Sequence, residues 1–154
     1  WALIATARLM AQSDFPADGT LRDDLIRHSR QVCESMLSEQ VQSPEEPDRH
    51  GGFASDTRVT PTATRLEGLL AALRIFSPQD AIREYLLPSI VDGIGFLCRA
   101  QVPEGPNAGA VPRATRYAKG RTKADKAFNN RVKEVRIDYV QHALSAFLEF
   151  ADLE

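Results

Sequence analysis

Cysteine is nearly absent from this chain, and so are the patterns that cysteine and histidine usually serve. Cys33 and Cys98 form no CxxC pair and have no His at ligand spacing. A disulfide framework is set aside, and both are expected to be small core side chains. Three scattered His residues without an HExxH pattern predict no metal site, and no cofactor is implied. No apolar run approaches the ~18 residues of a membrane span. The N-terminal "WALIATARLMAQ" lacks the basic flank of a signal peptide. No membrane partner is therefore expected, and the sparse cysteine leans mildly towards the cytoplasm. No stretch alternates as a strand must. Trp1 stands where a Met would begin a chain, so the sequence is expected to be a piece, the C-terminal part of something longer.

What is present reads as one globular domain over residues 1–154, since 43% hydrophobic and 26% charged residues are ordinary proportions. The net charge of -2 conceals a division. Residues 113–136 hold nine Lys and Arg against Asp125 and Glu134, a net of +7, which leaves -9 for the rest. Gly120 and Asn129-Asn130 interrupt this basic segment, so 113–133 is read as a long flexible loop inserted between helices. Such a loop can be merely solvated, can be a lid that recruits an anionic substrate, or can be a patch for an acidic macromolecule. Its only aromatics are Tyr117 and Phe128, too few for stacking on single strands, and nucleic acid is not expected.

The rest is helical, and the fold class is all-α. Ala2 to Ala11 is a short helix. "TLRDDLIRHSRQVCESMLSEQV" opens on Thr20 with Asp23 as a capping box, and aligns Leu21, Leu25, Val32 and Met36. "TPTATRLEGLLAALRIF" places Thr60 as N-cap and Pro61 at the first position, where its missing N–H costs nothing. In "SPQD" Ser77 caps and Asp80 closes a second box, and Pro88 is expected to divide the run from Ala81 to Gln101. The closing helix is predicted from Glu134 to Asp152, with Ile137, Val140, Leu144, Phe147, Leu148 and Ala151 on its apolar face.

An internal repeat runs through these elements. In each half a helix ends at Gln-Val (Gln40, Gln101) and a Pro-rich turn follows. Next come a glycine step (Gly51-Gly52-Phe53, Gly109-Ala110-Val111), Thr-Arg (Thr57-Arg58, Thr115-Arg116), and a helix opening Arg-aliphatic-acid (Arg65-Leu66-Glu67, Arg136-Ile137-Asp138). The unit is a helical hairpin, used at least twice, that must stack on its neighbours to bury its face.

"GFLCRAQVPEGPNAGAV" resembles the Gln-turn-Gly repeat of terpenoid-cyclase-type α/α toroids, and "GGF" with "TATRLEGLLAAL" is similar to the inner helices of six-hairpin carbohydrate enzymes. The resemblance covers about Val32 to Phe147 and implies repeated helical hairpins, as a partial toroid or short open array. Val111 departs from the aromatic of the cyclase repeat, and no DxDD segment is present, which argues against cyclase chemistry. In toroids of this kind the inner-helix N-termini line a central cavity. Glu67 and Asp138 would then divide general acid and base work on a sugar, with Tyr139 or His142 as a second proton carrier. Arg65, Arg113, Arg116 and Arg136 would hold an anionic group, Phe53 would stack on a ring, and His50 joins them from the polar loop before Gly51. The resemblance thus implies part of an enzyme of glycosidase, epimerase or lyase type, acting on a carbohydrate or other anionic small molecule and completed by the rest of a parent chain. The competing reading is a non-catalytic interaction domain whose basic loop meets an acidic partner.

Overall fold

The computed structural model describes residues 1–153. Among them are six helices: α1 (Ala2–Met10), α2 (Thr20–Ser38), α3 (Val59–Ala72), α4 (Arg83–Ala100), α5 (Lys123–Asn129) and α6 (Ile137–Ala151). No strand is present among the described residues; two isolated bridges, Arg58 with Ala114 and Pro112 with Val135, are the only extended pairings. The class is all-α, as the missing alternation predicted. No helix is long and apolar enough to cross a membrane.

The helices form two layers. α3 lies at the centre of one, with α1 and α6 packed along its sides, while α2 and α4 form the second and also touch each other. The sequence of α3 explains its position. Ten of its fourteen residues are buried, including Val59, Ala63, Leu66, Leu69 and Leu70, and only Thr60, Pro61, Thr64 and Arg65 stay half-buried, so a helix apolar around most of its circumference sits inside. Each fully buried leucine contributes roughly 1.5–3 kcal/mol. Gly93 of α4 makes room for this packing: a Cβ there would come 2.7 Å from Leu66 Cδ2.

Several helix starts differ from their predicted positions. Gly19, at φ 107°, is the N-cap of α2, and Thr20 is already helical with no side-chain cap bond. Helix α3 begins at Val59 behind Arg58, so Pro61 falls at the third position. It still costs nothing there, because the first four N–H groups of a helix have no internal partner. The N-cap of α4 is Ile82, with no side-chain cap bond, and neither Ser77 nor Asp80 caps the helix; Asp80 Oδ1 accepts from Ile82 N–H at 3.0 Å in the turn before it. Pro88 does not divide α4. Pro88 and Glu84, whose carbonyl it leaves without a donor, both lie on the exposed side, while Leu86, Ile90 and Leu97 anchor the buried side.

Helix α6 buries only part of its predicted face: Val140 and Phe147 pack against the core, and the other members do not. Ile137, Leu144 and Leu148 are 82%, 52% and 58% exposed, and the buried positions are Tyr139, Ala143 and Ala146. Small side chains let α6 lie close along α3, which leaves the larger aliphatics outside. The basic segment is not a bare loop either. It contains α5, opened by a reciprocal box between Thr122 and Asp125, and Asn129 both donates to Ala118 O and accepts from Ala118 N–H.

The two Gln-Val turns make the same bonds. Val41 N–H donates to Gly52 O and Gly51 N–H to Val41 O; Val102 N–H donates to Ala110 O and Gly109 N–H to Val102 O. Gly51 and Gly109 both stand at φ 81°, a left-handed conformation that glycine adopts without strain. Gln40 Nε2 donates to Gly51 O at 3.0 Å, and Gln101 Nε2 to Gly109 O at 3.3 Å.

Candidate functional site

The segments leading into α3 and α6 meet side by side. Val59 N–H donates to Arg113 O at 2.9 Å and Thr115 N–H to Thr57 O at 3.2 Å, so residues from the two halves are stitched side by side. Around this seam lie several adjoining cavities. A cavity of about 720 Å³ has Thr57, Arg113, Arg116, Tyr117 and Phe128 in its wall. A second, of about 480 Å³, is bounded by Thr60, Thr64, Arg65 and Tyr139, and shares Arg58, Arg113 and Arg131 with the first. Both fall in the size range of small-molecule sites.

Charge in the larger cavity is predominantly positive. Arg49, Arg58, Arg113, Arg116, Lys119 and Arg131 face Glu46, Asp56 and Asp125. Glu46 anchors two of the arginines, accepting from Arg49 at 2.6 Å and Arg116 at 2.9 Å, and their hydrogen bonds hold its carboxyl below the usual range. Arg58 is paired with Asp56 at 2.7 Å, and Arg131 with Glu134 at 2.8 Å. Arg113 differs. Its guanidinium lies 5.0 Å from the Phe128 ring centroid and its Nη1 donates to Phe128 O at 3.4 Å, with no carboxylate partner among the described residues.

Of the residues predicted to bind an anion, Arg65, Arg113 and Arg116 line these cavities. Arg65 is also paired with Glu39. Arg136 is the N-cap of α6, with its Nε 3.1 Å from Asp138 and its guanidinium over the Tyr139 ring at 5.5 Å. Phe53 is 3% exposed and packs in the core, so it offers no open face to a ring. His50 lines none of the cavities described, with Nε2 3.6 Å from Asp92 and its carbonyl accepting from Arg99 at 2.8 Å.

Of the predicted proton carriers only Glu67 and His142 meet. Glu67 is 7% exposed, and its Oε2 is 3.0 Å from His142 Nδ1, within hydrogen-bond distance. Glu67 borders a different cavity, of about 590 Å³, with Trp1, His28 and Met36. Tyr139 hydroxyl donates to Glu134 at 3.4 Å beside the arginine seam. Asp138 lines none of the five cavities described. The two acids therefore share a helix pair without sharing a hollow.

Thr57, Arg58 and Arg131 belong to the seam, and sequence reasoning assigned them no site role. Thr57-Arg58 was visible as a repeat step, but nothing in the residue types reveals the backbone conformation that makes Thr57 unusual.

At this level the fold and site define an all-α, two-layer helical domain with an arginine-lined opening at the lead-ins to α3 and α6. Comparison with protein-family models, with curated proteins and with solved structures finds no match.

Proposed function

We propose that the chain is a short array of helical hairpins of the α/α-toroid kind, which recognises an anionic small molecule, such as a sugar acid or sugar phosphate, at the arginine-lined seam. In this arrangement α2 with α3 and α4 with α6 are successive hairpins, α1 is the inner helix before them, and the twin Gln-Val turns are the equivalent corners. The carrying observation is the convergence of Arg58, Arg113 and Arg131 on two adjoining cavities where the halves of the chain meet. Guanidinium groups are planar donors suited to carboxylate and phosphate, and a concave low-dielectric wall strengthens their pull.

Acid–base chemistry shared between Glu67 and Asp138 is not part of this reading, because they border no common cavity. The role assigned is binding and orientation of the anion. The test is a thermal-shift screen of the full chain against glucuronate, galacturonate, glucose 6-phosphate and the neutral sugars. Stabilisation by the acidic members and not the neutral ones supports the reading. A screen in which no acidic sugar raises the melting temperature removes it, and favours an acidic macromolecule on the basic segment.

A further inference from the structure

We infer that Thr57 is the hydrogen-bond donor that seats the anion, and that the 720 Å³ cavity is a site for an oxyanion, carboxylate or phosphate, borne on a small molecule; this rests on the anion-binding reading above. Thr57 is 4% exposed, and its Oγ1 has no hydrogen-bond partner among the described residues. Buried hydroxyls are nearly always bonded, so an orphan in a cavity wall calls for a cause.

The backbone supplies a second, independent sign. Thr57 is the one non-glycine residue at positive φ among those described, at 62°. For a β-branched side chain that is a true outlier, and such strain survives only where the surroundings impose it. They do so here. Thr57 N–H donates to Ala54 O at 2.9 Å, Thr57 O accepts from Thr115 N–H at 3.2 Å, and the next residue bridges to Ala114. Both backbone polar groups are engaged, and only the hydroxyl is left over.

The chemistry of the missing partner follows from what else is in the wall. A threonine hydroxyl can donate or accept, but the wall it belongs to holds six cationic side chains against Glu46, Asp56 and Asp125, and among them Arg113 presents a guanidinium without a carboxylate. A group that accepts from both at once must carry electron-rich oxygens, which describes an oxyanion and excludes an ammonium.

Three proteins decide the matter: the full chain, Thr57→Val, which keeps the branched shape and removes the hydroxyl, and Thr57→Ser, which restores it. Each is titrated calorimetrically with inorganic phosphate, glucose 6-phosphate and glucuronate, after matched melting temperatures establish that all three are folded. We expect Thr57→Val to lose about tenfold in affinity, equivalent to about 1.4 kcal/mol, and Thr57→Ser to stay within about twofold of wild type. A preference for the phosphate esters or for glucuronate identifies which oxyanion the site takes. If Thr57→Val binds as tightly as wild type, the hydroxyl is served by water and the inference fails while anion binding stands. If Thr57→Ser loses as much as Thr57→Val, the hydroxyl is again not the cause. If wild type binds none of the probes, the anion-binding reading falls and takes this one with it.

Discussion

Gly51 and Gly109 have the same φ, occupy corresponding corners and make corresponding bonds, yet replacing each by alanine should have very different consequences. At Gly109 a Cβ would meet nothing within 4 Å. Gly109→Ala therefore carries only the left-handed penalty of an L-residue, ~1–2 kcal/mol. At Gly51 a Cβ would collide with the Asp92 carbonyl oxygen, and would lie 2.5 Å from its carbon and 3.2 Å from Gly93 N. Those are backbone atoms of α4, which cannot step aside as a side chain can. To accept a methyl group the corner must lift away from α4, breaking the bond from Gln40 Nε2 to Ser89 O. Adding the left-handed penalty to one buried hydrogen bond at ~1 kcal/mol and a steric displacement gives a loss on the order of 3 kcal/mol or more. Since a domain has ~5–15 kcal/mol in total, Gly51→Ala removes a large part of it. Urea denaturation followed by far-ultraviolet circular dichroism measures both variants on one scale. Equal losses for the two would refute the reasoning, because then the φ value alone, and not the close approach to α4, would set the cost.

Three further outcomes follow from other contacts. Burial raises the Glu149 carboxyl above its usual range, with Arg74 opposing; the folded state then binds the proton more tightly, so stability falls as pH rises from about 4.5 through the raised value. Glu149→Gln should flatten that dependence and stabilise the protein at neutral pH, as thermal melts at pH 4 and 7 would register. Burial pushes the Cys33 thiol up to about 12, partly offset by Arg30, while Cys98 is exposed. A thiol reagent at neutral pH should therefore titrate one group in the folded protein and two in denaturant. Arg30 grips Asp80 through 2.9 and 2.8 Å bonds. Burial pushes the Asp80 carboxyl up, but the Ile82 N–H, the Arg30 bond and the charges of Arg30 and Arg83 together hold it below its usual range. That contribution is present above about pH 3.9 and is lost as pH falls through the lowered value. Arg30→Ala should cost about 1 kcal/mol at pH 7 and less in acid.

Residue types and spacing carried the helical class, the approximate bounds of α1 to α4, and the Gln-Val corners, because periodicity and glycine placement follow directly from backbone geometry. The starts of α2 and α3 were misread by one or two residues. Several polar residues adjoin each start, and the spatial neighbours choose among them. The face of α6 is legible only in part, at Val140 and Phe147, for a deeper reason. Periodicity assumes that the largest aliphatics go inside, whereas α3 accepts a close neighbour and selects Ala143 and Ala146. Helix α5 was missed because seven residues with four charged or amide side chains look like loop until the Thr122 and Asp125 box is noticed. At the site, arginine clustering was legible from composition. The separation of Glu67 from Asp138, and the strain at Thr57, depend on how two distant segments cross, which no local pattern encodes.

The crossing of the two lead-in segments also has a consequence for the order of assembly. The partners at Thr57 and Thr115 are separated by the whole of α3 and α4, so their bonds reward a loop closure whose entropy is lost beforehand. Local helices and the first Gln-Val corner can form on their own timescale, but the basin that holds the arginines cannot exist until the second half docks. A partly folded molecule would thus be rich in helix and blind to the ligand, and recovery of anion affinity during refolding should lag behind recovery of helical signal.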